Sequence, residues 1–264
     1  MTLIVVTDLD GTLLDHDSYR WDAAQPALDV LKDRGIPLIL SSSKTAAEIA
    51  PLRDALGFSH CPAIVENGAG ILEGGDAAGE DGGETPYRRL RAVLDDLPAA
   101  LREPFAGFGD WTAAEVAKRT GMGTESAVRA QARRFSEPGL WSGDEAGLEA
   151  FLAALAKHGV SARRGGRFLT LSFGADKADR MAEIAPRYAN GDTGPTVIAL
   201  GDAPNDICML EAADIGIVIA NPAHDPLPPL DGEAAGRILR SRLAGPSGWN
   251  ESLLSVINGT NFGV

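Results

Sequence analysis

Two acidic clusters carry the chemistry this chain can do. The first is Asp8-Leu9-Asp10-Gly11-Thr12 and the second Gly201-Asp202-Ala203-Pro204-Asn205-Asp206. Four carboxylates gathered in a low-dielectric cleft repel one another strongly, and a divalent cation is the natural resolution. Oxygen-only ligands suit Mg²⁺, and a carboxylate beside Mg²⁺ can attack a phosphoryl group as a nucleophile. Taken singly, each cluster has a plainer reading. The first can be an Asx turn closing a strand, the second a turn leading into a capped helix. Two such clusters in one chain favour the metal-site reading for Asp8, Asp10, Asp202 and Asp206.

Two more segments fit the same chemistry. Ser41-Ser42-Ser43-Lys44-Thr45 precedes a helix over Ala46 to Leu56. Hydroxyls and free backbone N–H groups at a helix start form a ready phosphate site, although Ser42 also suits a helix N-cap. Lys177 lies in Asp176-Lys177-Ala178-Asp179, which opens an amphipathic helix with Met181, Ile184 and Ala185 on one face. A lysine there is poorly placed for the helix dipole. Facing clustered carboxylates and a phosphate explains it, whereas a lone lysine is ordinarily just solvated.

Each cluster follows an apolar run, at Ile4–Val6, Leu38–Leu40 and Val197–Leu200, which reads as a buried strand. Ligands of open α/β sheets bind at such strand ends. Strand–helix alternation runs through residues 1–84, ending in a strand over Cys61–Glu66 and a hairpin through Asn67–Leu72. Gly74 to Glu84 is rich in glycine and acid and reads as a flexible surface loop. Residues 85–173 combine helical stretches (Leu90–Leu101, Ala113–Thr120, Glu125–Phe135, Glu145–His158) with strand-like pieces such as Arg167–Phe173, the grammar of an α+β insertion. Alternation resumes over 174–264, with a strand at Ile215–Ile219 and a last helix after Gly248-Trp249-Asn250. The expected fold is thus α/β, a doubly wound Rossmann-like sheet in two parts with an inserted domain between them. There is no Walker phosphate loop, no GxGxxG and no HExxH, which removes several other enzyme classes.

A net charge of −13 over 264 residues speaks against nucleic-acid binding, which wants a basic face. It also opposes an anionic substrate, so a cation and placed Arg or Lys residues must act locally. Two cysteines, Cys61 and Cys208, suggest a reducing compartment rather than a disulfide framework. No signal peptide or transmembrane stretch is evident, so the expectation is a cytoplasmic protein without membrane partners.

In order, Asp8-Leu9-Asp10-Gly11-Thr12, Ser42, Lys177 and Gly201-Asp202…Asn205-Asp206 resemble the four motifs of the haloacid dehalogenase-like (HAD) phosphohydrolases. The long stretch between the second and third resembles the inserted cap called type C2. Further segments look like the branch of mannosyl-3-phosphoglycerate phosphatases: Ser42-Ser43-Lys44-Thr45 with Glu48, Val65-Glu66-Asn67-Gly68-Ala69, Arg134-Phe135-Ser136-Glu137-Pro138, Gly165-Gly166-Arg167-Phe168, and Gly245-Pro246-Ser247-Gly248-Trp249-Asn250-Glu251. One departure is Leu169-Thr170-Leu171-Ser172, where many relatives are expected to carry a histidine.

The resemblance implies Asp8 as nucleophile and Asp10 as general acid, then base, with its backbone carbonyl on Mg²⁺. It implies Asp202 and Asp206 as further metal residues, and Ser42, Ser43 and Lys177 as holders of phosphoryl oxygens. Asn205 would orient the loop or the phosphate. The implied substrate is a small phosphorylated sugar-glycerate, mannosyl- or glucosyl-3-phosphoglycerate, cleaved to the glycosylglycerate and phosphate. Another sugar-phosphate phosphatase, a phosphomutase and a non-catalytic phosphometabolite-binding member are the alternatives; the intact Asp8/Asp10 pair weighs against the last. In the insertion, Arg167 and Arg134 are the candidates for a substrate carboxylate, which a planar guanidinium suits. Glu137 reads either as a binder of sugar hydroxyls or as an exposed loop carboxylate. Trp111 and Trp141 read as sugar platforms or core, and Trp249 as packing.

Overall fold

The computed structural model describes residues 2–76, 85–165 and 167–259. Most of the glycine-rich stretch read as a loop, 77–84, lies outside the described residues, as does Gly166. Eleven strands are named among the described residues: β1 Leu3–Thr7, β2 Leu38–Ser41, β3 Ala63–Val65, β4 Gly70–Leu72, β5 Phe105–Gly107, β6 Ser136–Trp141, β7 Ser161–Gly165, β8 Phe168–Ser172, β9 Thr196–Gly201, β10 Ile215–Ala220 and β11 Ile238–Ala244. The helices are α1 Gln25–Asp33, α2 Ala46–Leu56, α3 Pro86–Asp95, α4 Ala99–Arg102, α5 Ala113–Thr120, α6 Thr124–Gln131, α7 Glu145–Ala156, α8 Lys177–Ile184, α9 Ile207–Ala212 and α10 Gly245–Gly259.

The chain divides into two compact units. The first takes the chain up to Ser42, Arg53–Gly75 and everything from Asp176 on. It holds a seven-stranded sheet in the order β11-β10-β9-β1-β2-β3-β4, parallel except for the β3–β4 hairpin. Its central strand β1 is Leu-Ile-Val-Val-Thr and buried throughout, as a parallel strand covered on both faces must be. Ile4, Val6, Ile39, Ile64 and Ala199 on the strands pack with Met181 and Ile184 of α8 and with Met209 and Leu210 of α9. Burying each such aliphatic side chain contributes about 1.5–3 kcal/mol. A capping box starts α8: the Asp176 carboxylate accepts from the Asp179 N–H, and that of Asp179 accepts from the Asp176 N–H.

The second unit contains Ser43–Leu52 and the segment that ends at Ala175. An antiparallel sheet, β5-β6-β8-β7, packs on α3 and α7 through Leu90, Leu94, Phe105, Leu148, Phe151, Leu155 and Leu171. A smaller cluster joins Phe108 to Val116 of α5 and to Ala127 and Ala130 of α6. Thr45 is fixed within this unit, its hydroxyl donating to the Arg129 carbonyl at 2.8 Å.

Several boundaries depart from the sequence expectation for local reasons. The single helix expected over Leu90–Leu101 breaks into α3 and α4, because Pro98 adopts an extended conformation at the start of α4. The helix expected to reach Phe135 ends at Gln131, and the following residues feed β6. The last helix begins at Gly245 rather than after Asn250, since a proline is tolerated in a first turn, where its missing N–H costs nothing.

Candidate active site

Asp8 is the residue directly after β1, and Asp202 the residue directly after β9. The two strands are parallel neighbours with Thr7 beside Leu200, so their ends deliver both carboxylates to one place. From β1 the sheet grows through β2 and β3 on one side and through β9, β10 and β11 on the other. This is the switch point at which doubly wound sheets bind ligands.

Asp206 turns back toward this pair. Its Oδ2 accepts the backbone N–H groups of Asp202 and Ala203 at 3.1 and 3.0 Å, which folds the acidic loop into a tight cup. Asp8, Asp202 and Asp206 are all buried and each offers an oxygen within 4.8 Å of the others. Lys177 enters from the first turn of α8 and is 1% exposed. Its Nζ donates to Asp8 Oδ1 at 2.6 Å, to Asp206 Oδ1 at 2.7 Å and to the Ser41 carbonyl at 3.2 Å. All three ammonium protons are thereby directed at oxygen.

Asp202 is held from both sides. Thr12 donates to Oδ1 at 2.5 Å, while Asn221 Nδ2 donates to Oδ2 at 2.8 Å. His224 Nε2 lies 2.9 Å from the same Oδ2, and its Nδ1 lies 2.8 Å from the Asp225 carbonyl. Both ring nitrogens face acceptors, and the Asp225 carbonyl and the Asp202 carboxylate raise the ring's pKa. Gly11 makes the close packing here possible: φ is +84°, and a Cβ would fall 2.2 Å from Asn221 Nδ2.

The electrostatics test whether a cation fits. Burial pushes the Asp8 carboxyl well above its usual range, Asp206 adds to this, and the Lys177 ammonium pulls the other way. Burial likewise opposes the Lys177 charge, but Asp206 and Asp8 outweigh it and its pKa rises. Lys177 bridges only Asp8 and Asp206 of the three buried carboxylates, so one ammonium leaves the group short of positive charge. The oxygen-only donor set therefore fits a divalent metal ion.

The other expected residues fall as follows. Asp10 is half-buried in the turn after β1, bridged to Leu14, and its carboxylate is not part of the three-residue group. Ser42 is buried; its N–H donates to Ile64 and its carbonyl accepts from Asn67. Ser43 is exposed, and its carbonyl accepts from Arg133 at 3.0 Å. Asn205 is exposed, with Nδ2 donating to Asn67 Oδ1 at 3.1 Å.

In the second unit, Arg167 is exposed, donates to the Thr120 carbonyl at 3.1 Å and covers the Phe168 ring. Arg134 is half-buried beside Phe135. Glu137 is no exposed loop carboxylate: it is wholly buried in β6, accepting from the Gly109 N–H at 2.7 Å with Arg91 at 3.4 Å. Trp141 stacks on Phe151 at 5.0 Å, and Arg119 covers Trp111 at 4.3 Å. Trp249 is buried as expected, and its indole N–H also donates to Thr7 Oγ1 at 2.9 Å.

Sequence reasoning assigned no role to Asn221, His224 or Thr12. For Asn221 a signal existed, since it follows the apolar strand β10 as Asp8 follows β1 and Asp202 follows β9. Nothing comparable marks His224. Both residues help line a cavity of about 440 Å³ together with Asp202, Leu227 and Arg240.

The profile of the haloacid dehalogenase-like hydrolases matches residues 5–81 and 145–227. The chain belongs to this family. It is 35% identical to the glucosyl-3-phosphoglycerate/mannosyl-3-phosphoglycerate phosphatase of Methanococcoides burtonii, over 99% of each chain. Among solved structures it resembles a HAD-superfamily phosphatase from Bacteroides thetaiotaomicron, with a TM-score of 0.66 at 18% identity, covering 98% of this chain and 96% of the other. It also resembles the sucrose-phosphatase of Synechocystis sp. PCC6803, solved with sucrose and phosphate, at TM-score 0.56 and 14% identity over 98% and 99% of the two chains. At such identities these structures bear on the HAD fold alone. No helix among the described residues is long and apolar enough to cross a membrane.

Proposed function

We propose that this chain is a Mg²⁺-dependent phosphatase that hydrolyses mannosyl- or glucosyl-3-phosphoglycerate to the glycosylglycerate and orthophosphate. The observation that carries the chemistry is Asp8 at the switch point, contacted by Lys177 and grouped with Asp202 and Asp206. The substrate assignment draws support from the 35% identical relative, matched end to end.

Asp8, Asp202 and Asp206, with the backbone carbonyl of Asp10, would hold the metal. Bound there, it supplies electrostatic stabilisation of the phosphoryl group in an in-line displacement. The chain's own residues do the rest. Lys177 favours the ionised, nucleophilic form of Asp8 against the cost of its burial. An Asp8 oxygen forms a bond to phosphorus while the bond to the sugar-glycerate oxygen breaks, and Asp10 gives that oxygen a proton. Water then attacks the aspartyl-phosphate, Asp10 takes a proton from it, and orthophosphate leaves with Asp8 regenerated. Ser42, Ser43 and Asn205 bind or orient the phosphate. The second unit acts as the specificity cap, with Arg134 and Arg167 for the glycerate carboxylate. Two free cysteines fit a reducing, cytoplasmic setting.

The test is phosphate release with Mg²⁺ on mannosyl- and glucosyl-3-phosphoglycerate, 3-phosphoglycerate, sucrose 6-phosphate and p-nitrophenyl phosphate, with Asp8→Asn as blank. Preference for a glycosyl-3-phosphoglycerate, lost in the variant, supports the whole reading. Turnover of the generic ester alone keeps the chemistry and removes the substrate. No Mg²⁺-dependent turnover overturns both.

A further inference from the structure

The turn between β3 and β4 sets three left-handed residues in a row. Glu66, Asn67 and Gly68 take φ values of +53°, +59° and +90° in succession. Two of these are not glycine, and one, Glu66, is buried. Left-handed non-glycine residues persist only where their surroundings over-determine them, and they concentrate at functional sites.

The surroundings here are the loops of the candidate active site. The Asn67 N–H donates to the Ser42 carbonyl at 2.9 Å. Gly68 lies against the residue before Lys177 so closely that a Cβ would fall 2.1 Å from the Asp176 carbonyl carbon. Arg180, one turn further along α8, donates to the Gly68 carbonyl at 3.0 Å. The Asn67 side chain completes the set, its Oδ1 accepting from Asn205 in the acidic loop at 3.1 Å. One three-residue turn thus touches the Ser42 strand end, the Lys177 helix start and the Asp202–Asp206 loop.

We propose that Asn67 is a positioning residue for phosphoryl transfer: its left-handed backbone and its amide clamp Asn205, and with it the acidic loop, in register with Ser42. The inference rests on the phosphatase reading. It accounts for the way one residue reaches two loops, through its N–H to the Ser42 carbonyl and its Oδ1 to Asn205.

Asn67→Gly separates the two roles, because it relieves the backbone and removes only the amide. The melting temperature is expected to hold or rise. The kcat for p-nitrophenyl phosphate with Mg²⁺ should fall about three- to tenfold, the effect of one lost hydrogen bond. In an Asn205→Ala background the same change should do almost nothing more, since contacting residues that act as a unit are not additive. Calorimetric titration of the Mg²⁺-loaded protein with inorganic phosphate should show the same non-additivity in affinity. Unchanged kcat and phosphate affinity in Asn67→Gly, or equal losses in both backgrounds, overturn the proposal. A wild-type chain that binds phosphate with this coupling but hydrolyses no ester would remove the phosphatase reading and leave the clamp standing.

Discussion

Lys177 Nζ lies 2.6 Å from Asp8 Oδ1 inside the protein, across a sequence separation of 169 residues. The contact joins the end of the first strand to the first turn of a helix that lies beyond the inserted unit. Only the completed first unit brings them together, so the carboxylate that would attack phosphorus acquires its counter-charge when both parts of that unit have folded.

Removing the ammonium leaves Asp8 and Asp206 buried without it. Breaking such a pair from one side costs about 3–5 kcal/mol. Lys177→Met is expected to lower stability by that order in a urea melt without added metal. It should also abolish most turnover. A variant that melts like the parent would mean that Lys177 is not the main charge compensating these carboxylates.

The same imbalance predicts metal linkage. A cation that binds the folded carboxylate group but not the unfolded chain stabilises by about 2.7 kcal/mol at a hundredfold excess over its Kd. Thermal melts should therefore move upward with Mg²⁺ in the wild-type chain. Asp202→Asn should lose that shift, and chelation with EDTA should stop turnover reversibly. Equal melting temperatures with and without Mg²⁺ would count against the assignment.

Where local sequence and tertiary environment agree, the fold was legible. The runs before Asp8 and Asp202 are apolar, β-branched and terminated by acid, and both became buried parallel strands. The limits of α2 and α5 also stand where they were read, α5 between the Thr112–Glu115 box and left-handed Gly121. Strand β6 was hidden because Pro138 and Gly139 contradict strand propensity; its pairing with β5 and β8 overrides them. The exposed-loop reading of Glu137 failed because its acceptance from the Gly109 N–H is a contact no local pattern announces. In the site, the carboxylates and Lys177 were visible as types at strand and helix ends. The clamp on Asp202 was not, because Asn221 and His224 reach it only through packing of the loop after β10.

Trp249 offers a test of how far from the carboxylates the support of Asp8 extends. Its indole N–H donates to Thr7 Oγ1, which in turn donates to the Asp8 carbonyl at 2.8 Å. Trp249→Phe keeps an aromatic ring in the buried position and deletes the donor. The loss of one buried hydrogen bond, together with the smaller ring, should cost about 1–3 kcal/mol. If Thr7 fixes the Asp8 peptide, kcat should also fall while KM stays put. An unaltered kcat with lowered stability would confine Trp249 to packing.

Glu137 predicts a pH dependence that belongs to the second unit. Burial raises its pKa above the ordinary value of 4.5, against the opposing pull of Tyr87, the Gly109 N–H and Arg91, while Asp110 adds to the rise. The folded state thus holds this proton more tightly than the unfolded chain. Its contribution to stability is fully present below pH 4.5 and is lost as pH rises through the folded value. Glu137→Gln lacks this titration, so the stability of the wild-type chain relative to the variant should decline from pH 4 toward neutrality. Paired urea melts at several pH values read the slope directly. A flat difference would mean that Arg91 and the Gly109 N–H already offset the cost of burial, and a rising one that they exceed it.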